Sequence, residues 1–177
     1  YRLVQDSEIG LLAEYMRTKK DSLKGKYFQL QTDVCTGAEK IEDVIGKVSE
    51  DEIIPFAGYF DGMGHTIGIK IAAQTANGTG FFAHNKGIIQ NLNLSGEISS
   101  GNMDYAGGIA GKNEGQILNC TSLVKTGGKD YVGGIAGSNS AAGVISGCVS
   151  TENITGTGTR VGAVAGENKG IISECSY

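Results

Sequence analysis

The stretch that decides the fold is GIAGKNEGQILNC at residues 108–120, because three similar stretches lie before and after it. They are GFFAHNKGIIQNL from Gly80, GIAGSNSAAGVISGC from Gly134 and AVAGENKGIISEC from Ala163. Two columns of equivalent residues keep the period. Asn85, Asn113, Asn139 and Asn168 are 28, 26 and 29 residues apart, and Leu92, Cys120, Cys148 and Cys175 are 28, 28 and 27 apart. A unit this short cannot bury its own apolar face, so neighbouring units must stack.

Each unit contains short apolar segments that are separated by Gly, Asn, Ser and Thr. In the third unit the segments are YVGGIAG (131–137), GVISGCVS (143–150) and ENITG (152–156). Their length and composition are typical of strands bounded by turns, and none shows the 3.6-residue period of a helical repeat. Three strands and three turns in each unit predict an all-β fold, a three-sided parallel β-helix of about 27-residue coils.

Stacked coils place each side chain about 4.8 Å from its counterpart in the next coil. We therefore expect three interior ladders: Phe81, Ile109, Ile135 and Val164; Ile89, Ile117, Ile145 and Ile172; and Leu92, Cys120, Cys148 and Cys175. The last two ladders are three residues apart, a spacing that would place them on opposite faces of a flat strand. A bend is expected between them, at Gln90-Asn91, Leu118-Asn119, Ser146-Gly147 and Ser173-Glu174. The Gly pairs at 107–108 and 133–134 predict a bulge or a close approach of backbone.

The repeat pattern is less regular towards the N-terminus. FAGYFDGMGHTIGIKI (56–71) predicts an earlier coil with a turn at Asp61-Gly62, and GKYFQLQTDV (25–34) predicts the first strand. Before that strand, apolar residues at helical spacing predict an amphipathic helix that covers the end of the solenoid. Those residues are Ile9, Leu12, Ala13 and Met16.

These patterns divide the chain into a helical cap (1–24), the first coils (25–79) and regular repeats (80–177), all in one solenoid domain. The sequence shows no second helix of this kind at the C-terminal end. We therefore expect further solenoid coils or domains in a longer parent chain.

Composition and charge argue against two classes of function, nucleic-acid binding and membrane insertion. The chain has 29 Gly, 1 Pro and no Trp, and its net charge is −4 with 15 Lys+Arg against 19 Asp+Glu. Without a basic excess there is no electrostatic basis for binding nucleic acid. No apolar run approaches the roughly 18 residues of a membrane-spanning helix, so membrane insertion is not expected.

The units resemble the GLUG-type repeats of bacterial surface proteins. Their pattern, G-[GA]-[IV]-A-G-x-N followed by G-x-I-x-x-C, is similar to that motif, and FAGYFDGMGHTIGIKI resembles the F-x-G-x-F-D-G-x-G-H-x-I segment that commonly introduces it. The resemblance covers most of the chain from about Leu23 onward, with departures at FFAH (81–84) and at two extra residues, Ala141 and Ala142. Such repeats occur in adhesin-like proteins and in non-catalytic parts of IgA-specific metallopeptidases. The resemblance therefore implies an extracellular or cell-surface β-helix, with no ligand specified.

The cysteines have three possible roles. Cys120, Cys148 and Cys175 share one interior column, where a free thiol acts as a small apolar group. A disulfide between adjacent coils is conceivable at this spacing, although three residues in a line cannot all pair. Zinc needs four ligands in a tetrahedron, which a straight row does not offer. Buried thiols are the favoured interpretation, and neither a metal nor a cofactor is expected.

Polar residues at repeated positions also have structural explanations. Asn85, Asn113, Asn139 and Asn168 are expected to form a stacked ladder at a turn, with amides bonded to neighbouring backbone. His65 and His84 are interpreted as packed or turn-bonding residues, and the chain contains no H-E-x-x-H motif.

The function that we expect is a non-catalytic, adhesin-like module that binds a host or matrix glycan or an extracellular protein. The candidate contact residues are Tyr105 and Tyr131, which lie one unit apart beside Asp104 and Asp130. Exposed aromatic rings at repeated positions bind sugar rings or protein, but these rings could instead pack over the coil edge.

Two rival functions stay open: an inert stalk of a larger secreted protein such as an IgA-type metallopeptidase, and a carbohydrate-active β-helix enzyme. The enzyme would gather three or more charged side chains on one outer face. We expect no such cluster.

Overall fold

The computed structural model describes residues 1–3, 6–48, 52–72 and 78–177. These residues form a parallel β-solenoid of about five turns with about 28 residues in each turn, which confirms the predicted fold class. The elements are β1 (Arg2–Leu3), α1 (Asp6–Lys19), β2 (Tyr27–Leu30), β3 (Lys47–Val48), β4 (Ile53–Ile54), β5 (Tyr59–Asp61), β6 (Thr66–Ile71), β7 (Phe82–Asn85), β8 (Ile88–Gln90), β9 (Asn93–Ser99), β10 (Ala106–Gly107), β11 (Ala110–Asn113), β12 (Gln116–Leu118), β13 (Thr121–Gly128), β14 (Val132–Gly133), β15 (Ala136–Asn139), β16 (Val144–Ser146), β17 (Val149–Ser150), β18 (Ile154–Gly156), β19 (Val161–Gly162), β20 (Ala165–Asn168) and β21 (Ile171–Ser173).

Four parallel sheets run along the solenoid. Sheet A has the order β1-β2-β5-β8-β12-β16-β21, sheet B has β6-β9-β13-β17 with β18 also beside β13, and sheet C has β7-β11-β15-β20. Sheet D is narrow, with two-residue strands in the order β10-β14-β19. Each regular coil therefore contributes to four sheets, one more than the three predicted sides, through its short strand in sheet D. The extra strand was missed because two residues are too short to form a pattern.

Each coil begins at a strand of sheet A. Coil 1 spans 27–58, coil 2 spans 59–87, coil 3 spans 88–115, coil 4 spans 116–143 and coil 5 spans 144–170. An antiparallel hairpin of β3 and β4 interrupts coil 1. Coils 1 and 2 are called the N-terminal coils, and coils 3 to 5 are called the regular coils.

The N-terminal helix packs as predicted. Ile9, Ala13 and Met16 are fully buried, and Leu12 is nearly so. The prediction that the strand at 25–34 comes first is wrong, because β1 precedes the helix and pairs in parallel with β2 through Arg2–Gln29 and Leu3–Leu30. The helix is therefore an insertion between two strands of sheet A.

One interior column runs through every coil of sheet A. Its residues are Phe28, Phe60, Ile89, Ile117, Ile145 and Ile172. The other two predicted ladders are also present, and their members in coils 2 to 4 are fully buried. All three ladders are thus confirmed, although their last members Val164, Ile172 and Cys175 are only partly buried.

The predicted bend between the second and third ladders is confirmed by backbone angles. Asn91, Asn119 and Glu174 have φ values of 50°, 51° and 53°, and Gly147 has 64°. One left-handed residue in each coil turns the chain from sheet A into sheet B, so that both ladders face the interior.

Close backbone packing explains the recurring glycines. A Cβ on Gly107 would collide with the carbonyl oxygen of Ala110, and a Cβ on Gly137 would lie 2.5 Å from the carbonyl carbon of Tyr105. Gly111 and Gly166 meet the backbone of the preceding coil in the same way. Sheet D therefore packs against sheet C with glycine between them, which confirms the close approach predicted for the Gly pairs.

Candidate functional site

The predicted contact residues Tyr105 and Tyr131 form a stack. Their ring centroids are 4.4 Å apart, and the ring planes are inclined by 15°. Lys112 Nζ lies 4.3 Å from the Tyr105 ring centroid, and Arg160 Cζ lies 4.7 Å from that of Tyr131. Both tyrosines are half-buried. Cations and a neighbouring ring thus cover the aromatic faces that a sugar would need.

Asp104 and Asp130 connect successive coils beside this stack. Asp104 Oδ1 accepts the backbone N–H of Asp130 at 3.3 Å, and Asp130 Oδ1 accepts the backbone N–H of Thr159 at 2.6 Å. The hydrogen bond from Thr159 holds the pKa of Asp130 below its ordinary value. The structure brings the four predicted residues together, and these contacts favour packing over the coil edge. Their contact with a ligand stays a prediction.

The asparagine column forms a side-chain ladder, of which Asn85, Asn113 and Asn139 are buried and Asn168 is exposed. Asn85 Nδ2 donates to Asn113 Oδ1, Asn113 Nδ2 to Asn139 Oδ1 and Asn139 Nδ2 to Asn168 Oδ1, each at 2.8 Å. The same amides also bond backbone carbonyls, for example that of Gln116. The prediction named only the backbone bonds. The direct amide-to-amide contact follows from the parallel register, which places identical side chains beside one another.

The four cysteines are free thiols. Cys120 and Cys148 are fully buried, and Cys175 is partly buried. Each sulfur contacts the carbonyl oxygen two residues earlier, at 3.3 Å for Cys120, 3.4 Å for Cys148 and 3.2 Å for Cys175. Burial raises the pKa of the Cys120 thiol. These contacts agree with the apolar role assigned to the column.

The prediction that no outer face gathers three charged side chains is wrong. Glu52 bridges Lys20 at 2.7 Å and Lys47 at 3.1 Å, which ties the end of α1 to the hairpin. A smaller cluster pairs Glu114 with Lys86 at 3.1 Å, and the uncharged His84 lies beside it with Nε2 2.9 Å from Glu114. Both clusters arise because the solenoid brings distant residues side by side. Each contains a single carboxylate, whereas glycoside hydrolysis generally uses a pair.

The two histidines differ in their surroundings. His65 Nδ1 lies 3.3 Å from Asp33 Oδ1 beside a turn, as expected for a turn-bonding residue. His84 is 4% exposed, and neither ring nitrogen has a hydrogen bond of good geometry. Burial lowers the pKa of His84, and the nearby carboxylate of Glu114 only partly opposes this. His84 is therefore a packed residue that is held in its neutral form.

A groove that the sequence did not predict runs along the corner between sheets C and A. It has a volume of about 600 Å³ and is lined by Gly25, Lys26, Tyr27, Ala57, Gly58, Tyr59, Lys86, Gly87, Ile88, Glu114, Gly115, Gln116 and Ala142. The floor is a column of glycines, since a Cβ on Gly87 or Gly115 would collide with the carbonyl oxygen of the glycine in the coil before.

Tyr27 and Tyr59 form one wall of this groove. Their rings stack with centroids 4.7 Å apart, and Tyr27 is 43% exposed. Behind them, the buried Asp61 accepts hydrogen bonds from Gln90 at 2.9 Å and from Asn91 at 3.1 Å. Burial acts to raise the pKa of Asp61, but these hydrogen bonds and that from Met63 N–H keep the pKa below its ordinary value. The signal in the sequence was the repeated Tyr-Phe pair at 27–28 and 59–60.

Among the described residues, no three His, Cys, Asp or Glu side chains are placed to hold a metal ion. The described part of the chain likewise contains no helix of the length and apolarity that crossing a membrane requires.

The chain matches no protein-family model, no curated protein and no solved structure. Its function is therefore inferred from its own residues.

Proposed function

We propose that this chain is a non-catalytic β-solenoid module of a bacterial surface or secreted protein, and that it binds a host or matrix glycan or an extracellular protein. The resemblance of its units to GLUG-type repeats supports this class of protein. The observation that carries the proposal is the lateral groove. It places the exposed ring of Tyr27 beside charged side chains, on the outside of the solenoid where the ring does not fill the core.

The rod-like fold suits such a module. Parallel strands bond each coil to the next, and the asparagine ladder adds side-chain bonds along the same direction. A rod of this kind holds its lateral surface in a fixed geometry, which reduces the ordering cost of binding.

The chemistry of the groove supports a binding function over hydrolysis. Its one carboxylate is Glu114, which is already bonded to Lys86. Partial burial acts to raise the pKa of Glu114, but the hydrogen bond from Lys86 and the charge of Lys86 outweigh it and lower the pKa. A carboxylate with a lowered pKa is a poor general acid near neutral pH.

One screen tests the proposal. The isolated chain would be immobilised and exposed to polysaccharides, mucins and matrix proteins, and both retention and depolymerisation would be measured. We expect saturable retention without product. Product formation would contradict the non-catalytic assignment, and the absence of any retention would favour an inert stalk.

A further inference from the structure

An insertion lies at one end of the groove. In coils 2 and 3 the floor glycine lies two positions after the ladder asparagine, as in Asn113 and Gly115, whereas in coil 4 Gly143 lies four positions after Asn139. The two extra residues are Ala141 and Ala142, both exposed, and Ala142 lines the groove. The lining of the groove therefore extends from Ala142, near the end of coil 4, back along the coils to Lys26.

The length of the groove follows from the stacking. Lys26, directly before coil 1, begins the floor column, and Gly58, Gly87 and Gly115 follow it at the ends of coils 1 to 3, as the registers of β2, β5, β8 and β12 require. Three steps between coils make about 14 Å. This distance accommodates a few sugar rings in a row.

The floor does not suit an extended peptide. The carbonyl oxygens of Lys26, Gly58 and Gly87 already accept the N–H groups of Tyr59, Ile88 and Gln116 in the next coil, at 2.8, 3.0 and 2.9 Å. A peptide that binds by strand addition needs a free edge for main-chain hydrogen bonds. A glycan instead uses polar side chains beside apolar ones, and here Gln116 and Lys86 lie with Tyr59 and Ile88.

The charge of the groove favours an acidic glycan over a neutral one. Lys86 and Glu114 offset each other in an ion pair, whereas Lys26 forms no ion pair with any residue that the structure describes. The groove thus carries a net positive charge on a chain whose net charge is −4. An ammonium without a partner at one end of the groove is suited to a carboxylate.

We infer that the groove binds the end of a linear acidic glycan, which lies along the solenoid axis with its end at Ala142 and a sugar carboxylate at Lys26. The inference rests on the proposed function, because it names the ligand class and the orientation at the same groove. The apolar wall of Tyr27, Tyr59 and Ile88 contacts the sugar rings.

Oligogalacturonates of increasing length, and the same oligomers with reduced carboxyl groups, test this inference by calorimetry. We expect the acidic oligomers to bind more tightly than the reduced ones. Lys26→Ala is expected to weaken the binding of the acidic oligomers about fivefold, which is the effect of losing one exposed charge pair. Lys125→Ala, which removes an exposed lysine on sheet B, is the matched control and leaves the affinity unchanged.

Deleting Ala141 and Ala142 tests whether the insertion ends the groove. The deletion gives coil 4 the same Asn-x-Gly spacing as its neighbours, so the groove extends and the affinity continues to rise for oligomers longer than those that saturate the unaltered chain. An unchanged length dependence would contradict the predicted orientation.

Two outcomes separate this inference from the proposed function. Equal binding of acidic and reduced oligomers, or retention of a protein but no saccharide, overturns the inference and leaves the adhesive module standing. No retention of any ligand in the broader screen overturns both.

Discussion

The N-terminal coils and the regular coils fill the same interior column in different ways. Phe28 and Phe60 occupy it in coils 1 and 2, and isoleucine occupies it in every later coil. All five phenylalanines of the chain lie in the N-terminal coils, where Phe56 packs 6.5 Å from Phe60 and 5.0 Å from Phe82 between ring centroids.

The regular coils depend more on repeated polar and backbone contacts. Their interior contains the buried asparagine ladder and the buried thiols, and their sheets C and D meet across glycine. Coil 1 is interrupted by the hairpin and preceded by α1, so the packing around the shared column is less regular there than in the later coils. Large aromatic rings fill the irregular space instead, since burial of apolar area does not require a fixed register.

The largest expected effect is the loss of an aromatic ring from the shared column. Phe60→Ala is expected to lower the free energy of unfolding by about 4 kcal/mol, because Phe60 is fully buried and contacts three other rings. Ile145→Ala at the equivalent position in coil 5 is expected to cost about 3 kcal/mol. Urea denaturation measures both values. Leu123→Ala, which alters an exposed side chain, is the control, and equal losses at Phe60 and Ile145 would contradict the comparison.

A glycine substitution tests the backbone packing of the regular coils. Gly137→Ala places a Cβ 2.5 Å from the Tyr105 carbonyl carbon, and we expect it to lower the free energy of unfolding by about 3 kcal/mol. Gly37→Ala in coil 1 is the matched control, since a Cβ there meets nothing within 4 Å. A loss below about 1 kcal/mol for Gly137→Ala would show that sheets C and D can separate without penalty.

Breaking the asparagine ladder is expected to have a moderate effect. Asn113→Ala removes one amide that bonds both Asn85 and Asn139, and leaves their buried groups without this partner. The expected loss in free energy of unfolding is about 2 kcal/mol. Asn102→Ala, at an exposed turn, is expected to change it by less than about 0.5 kcal/mol. Similar urea midpoints for the two variants would contradict a structural role for the ladder.

The smallest expected effect is a pH dependence of stability, and it arises from His84 near the boundary between the N-terminal coils and the regular coils. Burial keeps the pKa of His84 below 6.5, so as the pH falls below about 6.5 the unfolded chain binds a proton that the folded chain does not. Stability therefore decreases from pH 6.5 down to the folded pKa of His84. Glu114, Lys86 and Lys112 face this ring, but the carboxylate titrates at lower pH.

Unfolding free energies at several pH values between 7.5 and 5 measure this effect. We expect His84→Gln to remove the decrease and His65→Gln to retain it. A decrease that persists unchanged in His84→Gln would assign it to another group.

The ladders were predictable because stacking in register places equivalent residues together. Asn85, Asn113 and Cys120 were assigned from their spacing alone, and the structure bears this out. The groove was not predictable in the same way, because Tyr27 and Glu114 are 87 positions apart, and Tyr27 lies in sheet A whereas Glu114 follows a strand of sheet C. The Glu52 cluster was missed for the same reason, since Lys20 directly follows the helix and Lys47 belongs to the hairpin.

The sequence by itself determined the coil, its period and its interior columns, since hydrophobic periodicity and turn residues act within a single repeat. Only the tertiary structure decided which outward side chains share a surface. Coil 1 contains an extra hairpin and the last turn of coil 4 contains Ala141 and Ala142, and such insertions change what lies beside a given residue while the interior columns remain continuous. The physical reason is that the interior must remain in register to bury its side chains and satisfy its hydrogen bonds, whereas the outer surface is under no such constraint.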